Sequence, residues 1–399
     1  MTGESMQEPR TGPQLGIGMV GYSFMGTVHS HAWRDAPSFF DMPLRLRMVA
    51  LGGRNRDAAE EAAARWGWAS VETDWRALVA RDDVDLVDIC TPGDTHAEIA
   101  IAALAAGKHV LCEKPLANTV DEAVAMAAAA ESARSRGVRS MVGFTYRRVP
   151  AIILARQLVA EGRLGEIRHV RAQYLQDWIA DPDAPLSWRL QKDRAGSGAL
   201  GDIGAHIIDL TQYITGDRIS GVSAMMETFI KERPVADSSS GLSGVGGTER
   251  GAVTVDDAAL FLARFSGGAL GSFEATRFAT GRKNSIRIEI NGSNGSLAFD
   301  FEDMNELHFL DATEDGRTAG FRRILVTEPE HAYVSAWWPP GHLLGYEHGF
   351  THQVVDLTTA IAEGRDPEPS FADGLVVQRV LAAVEDSAAK DSVWTEVPD

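Results

Sequence analysis

Strands and helices alternate through the first third of this 399-residue chain. Apolar, strand-like runs alternate with Ala-, Glu- and Arg-rich helical runs, and this spacing predicts a doubly wound parallel sheet. Such sheets bind ligands at the carboxyl ends of their strands, so we expect a site among the turns there. The predicted strands are 14–20, 47–51, 84–90, 108–112 and 140–144, and the predicted helices are 24–34, 57–66, 96–106 and 119–136.

A glycine-rich turn follows the first strand, and its sequence offers two registers. Residues 16–21 (GIGMVG) match G-x-G-x-x-G letter for letter. They leave almost no strand before the first glycine, however, and the dinucleotide-binding fingerprint requires one. Residues 21–26 (GYSFMG) follow the strand and open the helix, with serine at the second glycine position. This register predicts a dinucleotide site, and a tight turn without a ligand is the alternative. The predicted contacts are Gly21, Ser23, Phe24 and Met25.

The turn after the second strand bears on which dinucleotide binds. Gly53, Arg54 and Asn55 stand where an acidic residue would bind the adenosine ribose of NAD, and none of them is acidic. An arginine suits the 2′-phosphate of NADP. Arginine also stacks on adenine in NAD sites, and a solvated loop arginine is a third interpretation. The predicted cofactor is therefore NAD or NADP, with Arg54 favouring NADP.

Asp202 and His206 are four residues apart in the run GALGDIGAHIIDL. One helical turn separates them, so both side chains project from the same face. A carboxylate beside an imidazole can bind a hydroxyl group and remove its proton near neutral pH. The alternative is that Asp202 caps a helix N-terminus and His206 packs in the core.

Composition and charge narrow the range of partners. The net charge of −18 argues against nucleic acid and anionic membrane. Residues 1–13 lack the features of a signal peptide and are interpreted as a flexible tail, so we expect a cytoplasmic protein. Cys90 and Cys112 are expected to be reduced. No C-x-x-C or H-E-x-x-H spacing occurs, and His348 and His352 lack a glutamate in that frame, so no metal is predicted.

Beyond residue 146 the pattern changes, which divides the chain into residues 14–146 and 147–399. Consecutive strands without intervening helices favour an open, largely antiparallel sheet in an α+β domain. The glycine- and serine-rich run 238–251 is predicted as a flexible loop. Predicted strands are 166–177, 220–229, 258–265, 270–277, 285–291 and 296–301, and predicted helices are 151–161, 202–213, 348–363 and 373–389.

Five ordered motifs, GYSFMG…H, TPGDTH, CEKP, GFTYRRVP and GALGDIGAH, resemble those of the glucose-fructose oxidoreductase, inositol dehydrogenase and MocA-like family. The resemblance implies a Rossmann domain followed by a domain whose open sheet mediates dimer or tetramer contacts. It implies that Lys114 lies beside the nicotinamide and the substrate, and that Asp202 and His206 complete a catalytic group. On the cofactor side it implies Thr91, Pro92, His96 and Glu113.

Several polar and aromatic residues are candidates for binding a sugar, because sugars bind by aromatic faces and by polar groups at their hydroxyls. The candidates are Tyr146, Arg148, Trp188 and Arg189, besides the three catalytic residues. Trp178 and the loop 337–342 are further aromatic candidates. Core packing of the aromatic residues and solvation of the arginines are the alternatives.

The function that these features predict is oxidation of a secondary hydroxyl on a cyclic polyol or pyranose sugar. His206 would act as general base, Lys114 would stabilise the developing charge, and Asp202 would position the substrate. Asp209 is a candidate to orient the imidazole of His206. The alternatives are an NAD-dependent glycosidase, an oxidoreductase with permanently bound cofactor, and a cofactor-bound sugar sensor without catalysis.

Overall fold

A computed structural model describes residues 12–240 and 243–398. The first sheet has six parallel strands in the order β3-β2-β1-β4-β5-β6. The predicted tail 1–13 lies almost wholly outside the described residues. The strands are β1 (Gln14–Val20), β2 (Arg45–Gly52), β3 (Ser70–Glu72), β4 (Leu86–Ile89), β5 (His109–Cys112) and β6 (Ser140–Val142), and the helices are α1 (Phe24–Phe39), α2 (Arg56–Trp66), α3 (Trp75–Val79), α4 (His96–Ala105) and α5 (Val120–Arg134).

This strand order confirms the doubly wound sheet, and it places the reversal of order between β1 and β4. Ligands bind at that reversal, outside the carboxyl ends of the two strands. Helix α1 runs five residues beyond its predicted end, through Pro37. The edge strand β3 and the short helix α3 were missed because each is too brief to show a period. Cys90 and Cys112 are free and buried, as expected.

The second sheet has nine strands in the order β16-β15-β14-β13-β7-β12-β11-β8-β17. All neighbours are antiparallel except β7 and β12, which confirms the mostly antiparallel sheet. Its strands are β7 (Ile167–Leu175), β8 (Ile219–Glu227), β11 (Ala258–Phe265), β12 (Leu270–Thr276), β13 (Ser285–Gly292), β14 (Gly295–Asp300), β15 (Glu306–Asp311), β16 (Arg322–Leu325) and β17 (Thr395–Glu396), and the helices in this part of the chain are α6 (Pro150–Ala160), α7 (Lys192–Ala195), α8 (Ala205–Thr215), α9 (His348–Glu363) and α10 (Phe371–Ala389).

The run predicted as a flexible loop, 238–251, instead lies in two paired antiparallel strands, β9 (Glu232–Ser240) and β10 (Ser243–Ala252), apart from positions 241–242, which lie outside the described residues. Glycine and serine content suggested a loop, but cross-strand hydrogen bonds need no particular side chain. The base of the hairpin covers the segment 179–190, where the buried guanidinium of Arg233 donates to the carbonyl groups of Ile179 and Asp181. This hairpin therefore packs on the segment 179–190, which follows β7 of the second sheet.

Helix α9 lies late in the chain but packs on the first sheet's side of the molecule. Phe350, Val354 and Leu357 join the same apolar cluster as Ile17 and Met19 of β1. A larger cluster continues from the first sheet through α8 into the second sheet. One apolar core is therefore shared by the two sheets and the helices packed between them. No helix among the described residues is long and apolar enough to span a lipid bilayer.

Candidate active site

Lys114 and Asp202 meet where the turn after β5 contacts the segment that leads into α8, although 88 residues separate them in the chain, and we call the space beside this pair the cleft. Lys114 follows β5 and its turn begins with a cis peptide bond to Pro115. Asp202 lies in a π-helical turn, Leu200–Gly204, that leads directly into α8. The ammonium of Lys114 donates to the carbonyl oxygen of Asp202 at 2.6 Å and lies 3.4 Å from its Oδ1.

A different acid caps the turn that carries Asp202. The carboxylate of Asp256 accepts hydrogen bonds from the backbone N–H groups of Gly198 at 2.6 Å and Leu200 at 2.8 Å. These bonds satisfy donors that a helix start leaves free. Asp202 is therefore not the helix cap of the alternative interpretation, and its carboxylate points to Lys114.

Asp202 is surrounded by cations. Its Oδ2 lies 3.4 Å from Nη1 of Arg277, whose side chain is fully buried at the end of β12. Burial acts to raise the pKa of Asp202, but the charges of Lys114, Arg277 and Arg189 outweigh it and lower the pKa to about 2. Asp202 is thus a fixed carboxylate, suited to accepting hydrogen bonds and unsuited to donating a proton.

His206 lies one turn beyond Asp202 in a setting of aromatic rings. Its ring centre is 4.5 Å from that of Tyr146, 5.9 Å from Tyr174 and 6.1 Å from Phe144. Burial holds the pKa of His206 well below its ordinary value, and the nearby Lys114 charge lowers it further. The imidazole is therefore neutral at physiological pH and able to accept a proton.

The expectation that Asp209 orients the imidazole of His206 is wrong. Asp209 is fully buried and forms an ion pair with Arg147, whose Nε donates to Oδ2 at 2.8 Å. The carboxylate therefore points to the Arg147 side of α8. Among the described residues, Nδ1 of His206 has no hydrogen-bond partner. The ring is held by packing and not by a carboxylate.

Hydrogen-bonded polar side chains form a row beside His206, which we call the polar wall, and three of them were missed by the sequence interpretation: Tyr174, Gln176 and Asn284. The hydroxyl groups of Tyr146 and Tyr174 are 3.0 Å apart, and Tyr174 donates to Oδ1 of Asn284 at 2.6 Å. Gln176 donates to the same oxygen at 2.9 Å and accepts from Nε1 of Trp178 at 2.9 Å. The available signal was position, since Gln176 directly follows β7 and Asn284 directly precedes β13.

The turn between β1 and α1 has the shape that a dinucleotide phosphate requires. Gly21 has φ +108°, and a Cβ on Gly26 would lie 2.3 Å from the carbonyl oxygen of Gly21. Only glycine fits at either position. Ser23 begins α1 without capping it by its side chain, and Ser23 and Phe24 are exposed. Backbone donors at the start of α1, including that of Met25, therefore face a cradle that fits the pyrophosphate of NAD(P).

The predicted residues after β2 and β4 have mixed settings. Arg54 is exposed, and Asn55 caps α2 by accepting from the N–H of Ala58 at 3.2 Å. His96 is buried and joins the carbonyl oxygens of Thr91 at 2.9 Å and Pro115 at 3.0 Å. His96 thus connects the Thr91–Pro92 turn to the turn of Lys114, and its ring nitrogens are already engaged. Gly53 lies against the ring of Tyr22, where a Cβ would come within 2.1 Å.

Glu113 does not have the exposed position expected of a cofactor ligand. Its side chain is buried, with Oε1 3.0 Å from Nε2 of His29 and Oε2 accepting from the N–H of Lys114 at 3.2 Å. Both carboxylate oxygens are therefore engaged within the protein.

Arg148, predicted to bind substrate, is not near this group. Its side chain is buried beneath α9, where it pairs with Asp356 at 3.2 Å and donates to the carbonyl oxygen of Glu368. Both arginines in GFTYRRVP hold helices in place: Arg147 pairs with Asp209 of α8, and Arg148 pairs with Asp356 of α9. Arg189, by contrast, lies near enough to Asp202 to lower its pKa, and its guanidinium lies 4.5 Å from the ring centre of Trp188.

The loop 337–342 packs away from Lys114. Trp337 contacts Phe39 of α1 at 4.4 Å between ring centres, and its Nε1 donates to Nε2 of His352 at 2.8 Å. This bond occupies the histidine that the sequence paired with His348. Tyr346, just beyond the loop, is the residue that reaches the cleft, with its ring 6.3 Å from Phe24 and 6.4 Å from Tyr146.

These features are typical of one class of protein. It comprises the oxidoreductases that have an NAD-binding Rossmann domain followed by a second domain with a large, mostly antiparallel sheet. Residues 15–144 match the family model described as "Oxidoreductase family, NAD-binding Rossmann fold". Residues 152–298 match the model described as "GFO/IDH/MocA C-terminal domain". The chain belongs to the GFO/IDH/MocA family, as its motifs predicted.

Individual relatives match over almost the whole chain. A levoglucosan dehydrogenase from Pseudarthrobacter phenanthrenivorans is 44% identical over 390 residues, covering 96% of this chain and 98% of that protein. The crystal structure of an oxidoreductase domain protein from Kribbella flavida is 73% identical, with a TM-score of 0.93 over 97% of this chain and 100% of that one. A structure of levoglucosan dehydrogenase in complex with NADH and levoglucosan is 43% identical, with a TM-score of 0.90 over 96% and 99% of the two chains.

Proposed function

We propose that this protein oxidises a secondary hydroxyl of a pyranose sugar or cyclic polyol, with NAD as the hydride acceptor. A 1,6-anhydro sugar of the levoglucosan type is the first substrate to test, because levoglucosan dehydrogenase is similar over nearly its full length. The observation that carries the proposal is the neutral, buried imidazole of His206 one helical turn from the Lys114–Asp202 pair.

The reaction needs one group to take a proton and another to stabilise the oxygen. His206 takes the hydroxyl proton on a ring nitrogen, because its imidazole is neutral. Lys114 engages Asp202 but retains a further N–H for the substrate oxygen, since an ammonium has three donors. Asp202 accepts from another substrate hydroxyl and fixes the ring in register.

Bound NAD would supply the acceptor for the hydride that leaves the carbinol carbon. The residues that would hold it are Gly21, Ser23, Phe24 and Met25 at the pyrophosphate, and Thr91 and Pro92 beside the nicotinamide. Lys114 would touch both cofactor and substrate. Tyr146, Gln176 and Trp178 would meet the sugar along the polar wall, with Arg189 beside Trp188 at its end.

The cofactor preference rests on the turn after β2. Relatives carry NADH in their structures, but Arg54 is exposed and has no acidic neighbour at Gly53 or Asn55. We propose that Arg54 stacks on the adenine of NAD. Replacing Arg54 by Ala should then weaken NADH and NADPH binding by similar factors. A loss confined to NADPH would show instead that Arg54 binds the 2′-phosphate.

The direct test is an absorbance screen of levoglucosan, inositols, hexoses and glycosides with NAD and NADP in parallel. We expect a stoichiometric rise of reduced nicotinamide with an anhydro sugar or polyol. Hydrolysis without net reduction would indicate a glycosidase. Cofactor that stays bound through gel filtration would indicate the permanently loaded oxidoreductase. Binding of sugar without turnover at any pH would leave only a sensor and contradict the proposal.

We further propose a cytoplasmic homodimer or homotetramer that assembles through the outer face of the second sheet. Leu260 and Leu262 of β11 and Met225 of β8 are half-exposed or more there, around a depression of about 730 Å³. Apolar patches of this kind mark protein interfaces. Replacing Leu262 by Glu should reduce the mass measured by light scattering, and an unchanged mass would exclude this face. Two free buried thiols support a reducing compartment.

The proposed units of function are residues 14–146, which bind the dinucleotide, and residues 147–399, which bind substrate and assemble. Apart from Tyr146, the polar wall lies in the second unit, as do α8 and the open face of the sheet. This division supports assigning cofactor and substrate binding to different parts of the chain.

A further inference from the structure

A buried histidine outside the proposed catalytic group lies directly behind it. His29 is in α1 and is 2% exposed. Its Nδ1 lies 2.9 Å from Oδ2 of Asp88 in β4, and its Nε2 lies 3.0 Å from Oε1 of Glu113. One ring thus joins three segments that surround the cofactor turn: α1, β4 and the turn after β5.

The partners fix the protonation of this ring. Both nitrogens face carboxylate oxygens, which only accept, so both nitrogens must carry a proton. Burial acts to lower the pKa of His29, but the charge of Asp88 outweighs it and holds the pKa well above its ordinary value. His29 is therefore protonated near neutral pH and donates from both ring nitrogens.

The other groups around His29 complete this arrangement. Trp33 donates from Nε1 to Oδ2 of Asp88 at 2.7 Å, and the Cys90 thiol lies 3.6 Å from Oδ1. Burial raises the pKa of Cys90, which keeps it a thiol. The ring of Phe350 from α9 packs against the imidazole, with 5.5 Å between centres. His29, Asp88 and Cys90 offer atoms that could bind a metal ion, but those atoms are already hydrogen-bonded to one another.

The link continues from Glu113 to the lysine. Oε2 of Glu113 accepts from the backbone N–H of Lys114 at 3.2 Å. Gly143 leaves the space for this carboxylate, because a Cβ there would lie 2.6 Å from Oε1. Two hydrogen bonds therefore separate the ring of His29 from the backbone that carries Lys114.

We propose that His29 is a positioning residue, which ties α1 to Glu113 and through Glu113 holds Lys114 in line with Asp202 and the substrate. This inference rests on the proposed role of Lys114. It also connects the helix that starts at the dinucleotide cradle with the turn that carries the catalytic ammonium. A displacement of that ammonium by about 1 Å is enough to slow catalysis by up to about 100-fold.

Two amide substitutions separate positioning from simple packing. The amide N–H₂ of His29→Gln can replace Nε2 and keep the bond to Glu113, whereas that of His29→Asn replaces Nδ1 and keeps only the bond to Asp88. We expect His29→Asn to lower kcat by about 10-fold or more and His29→Gln to lower it by less than about 3-fold. The dissociation constant of NADH, measured by fluorescence, should stay within about 2-fold in both. The primary deuterium isotope effect on kcat should rise only in His29→Asn.

A neighbour on the same helix provides the matched control. Ser30 is fully buried and accepts from Nε1 of Trp68 at 2.9 Å, with no connection to Glu113. Ser30→Ala should lower the melting temperature without changing kcat or the isotope effect.

Equal losses of kcat in His29→Asn and His29→Gln, or changes in melting temperature alone, would overturn the inference. If His29→Asn does not fold, Glu113→Ala tests the same link, because it removes both hydrogen bonds, and unchanged kcat in that variant also overturns the inference. Lys114→Met, assayed alongside, separates the two proposals. Full activity in Lys114→Met would refute the proposed function itself. If Lys114→Met is inactive while the His29 and Glu113 variants keep their full kcat, only the positioning role is refuted.

Discussion

Lys114 and His206 both lie beside Asp202, and the protein holds them by opposite means. Hydrogen bonds and charge fix Lys114: its ammonium binds Asp202, and its backbone N–H binds Glu113, which in turn binds His29. Aromatic packing fixes His206, whose Nδ1 has no partner among the described residues.

This difference matches the role that we propose for each residue. A lysine that stabilises an oxyanion works best as a permanent cation among fixed dipoles. A general base must remain neutral, and a carboxylate bound to the ring would raise its pKa and keep its proton. The aromatic surroundings of His206 remove that charge, and Asp209 is kept away by its pair with Arg147.

The largest loss of activity is expected from replacing Lys114, the residue that hydrogen bonds and charge hold in place. Lys114→Met should lower kcat by about 1,000-fold, because no other donor replaces the ammonium at the reacting oxygen. Steady-state kinetics with the best sugar of the screen measures this. The dissociation constant of NADH should change far less, since the phosphates are proposed to bind at Gly21 and the start of α1.

The control for this substitution is Lys390→Met. Lys390 is 61% exposed and pairs with Asp386 on the surface of α10, so its loss removes a similar charge far from the cleft. Unchanged kcat is expected in Lys390→Met. A Lys114→Met enzyme that retained a tenth of its activity would contradict the proposed division of labour.

A smaller loss of activity is expected from replacing His206, the residue that aromatic packing holds in place. His206→Gln should lower kcat by about 100-fold, because water or Asp202 can replace the base inefficiently. His308→Gln is the matched control, since His308 is 43% exposed on β15. Equal kcat in His206→Gln and His308→Gln would remove His206 from the mechanism.

The wild-type pH profile tests the same residue without a substitution. The pKa of His206 lies well below its ordinary value of about 6.5, so kcat/KM for oxidation should be flat from neutrality down to pH 6.5 or so and fall only in more acidic solution. The unfolded chain binds a proton at about 6.5 and the folded chain does not, so the unfolding free energy also decreases as the pH falls below that value. An activity midpoint at or above 6.5 would show that the ring is not neutral.

Much of this site was predictable from sequence because its main residues follow strands or share a helix. Lys114 follows β5, and Asp202 and His206 share one turn, so local patterns and the motifs of the family were sufficient. Arg277, Tyr174, Gln176 and Asn284 were not predicted, because they meet only through pairing of strands that are distant in the chain. Leu175 of β7 lies opposite Thr276 of β12 and Ser285 of β13, and no local pattern specifies that register. The roles predicted for Arg148 and Asp209 were wrong for a related reason. Their ion-pair partners come from other elements, which no local pattern reveals.

The smallest effect distinguishes packing from hydrogen bonding on the His206 side. Tyr146 contributes a ring to His206 at 4.5 Å and a hydroxyl to Tyr174 at 3.0 Å. Tyr146→Leu removes both and should lower kcat by about 10-fold, because the imidazole loses the surface that orients it. Tyr146→Phe keeps the ring and should leave kcat within about 2-fold while raising the KM for the sugar, since only the polar wall is altered. If Tyr146→Phe lowered kcat as much as Tyr146→Leu, the hydroxyl would have to act on the reacting atoms. His206 would then depend on a hydrogen-bonded chain, as Lys114 does, and the contrast between the two residues would not hold.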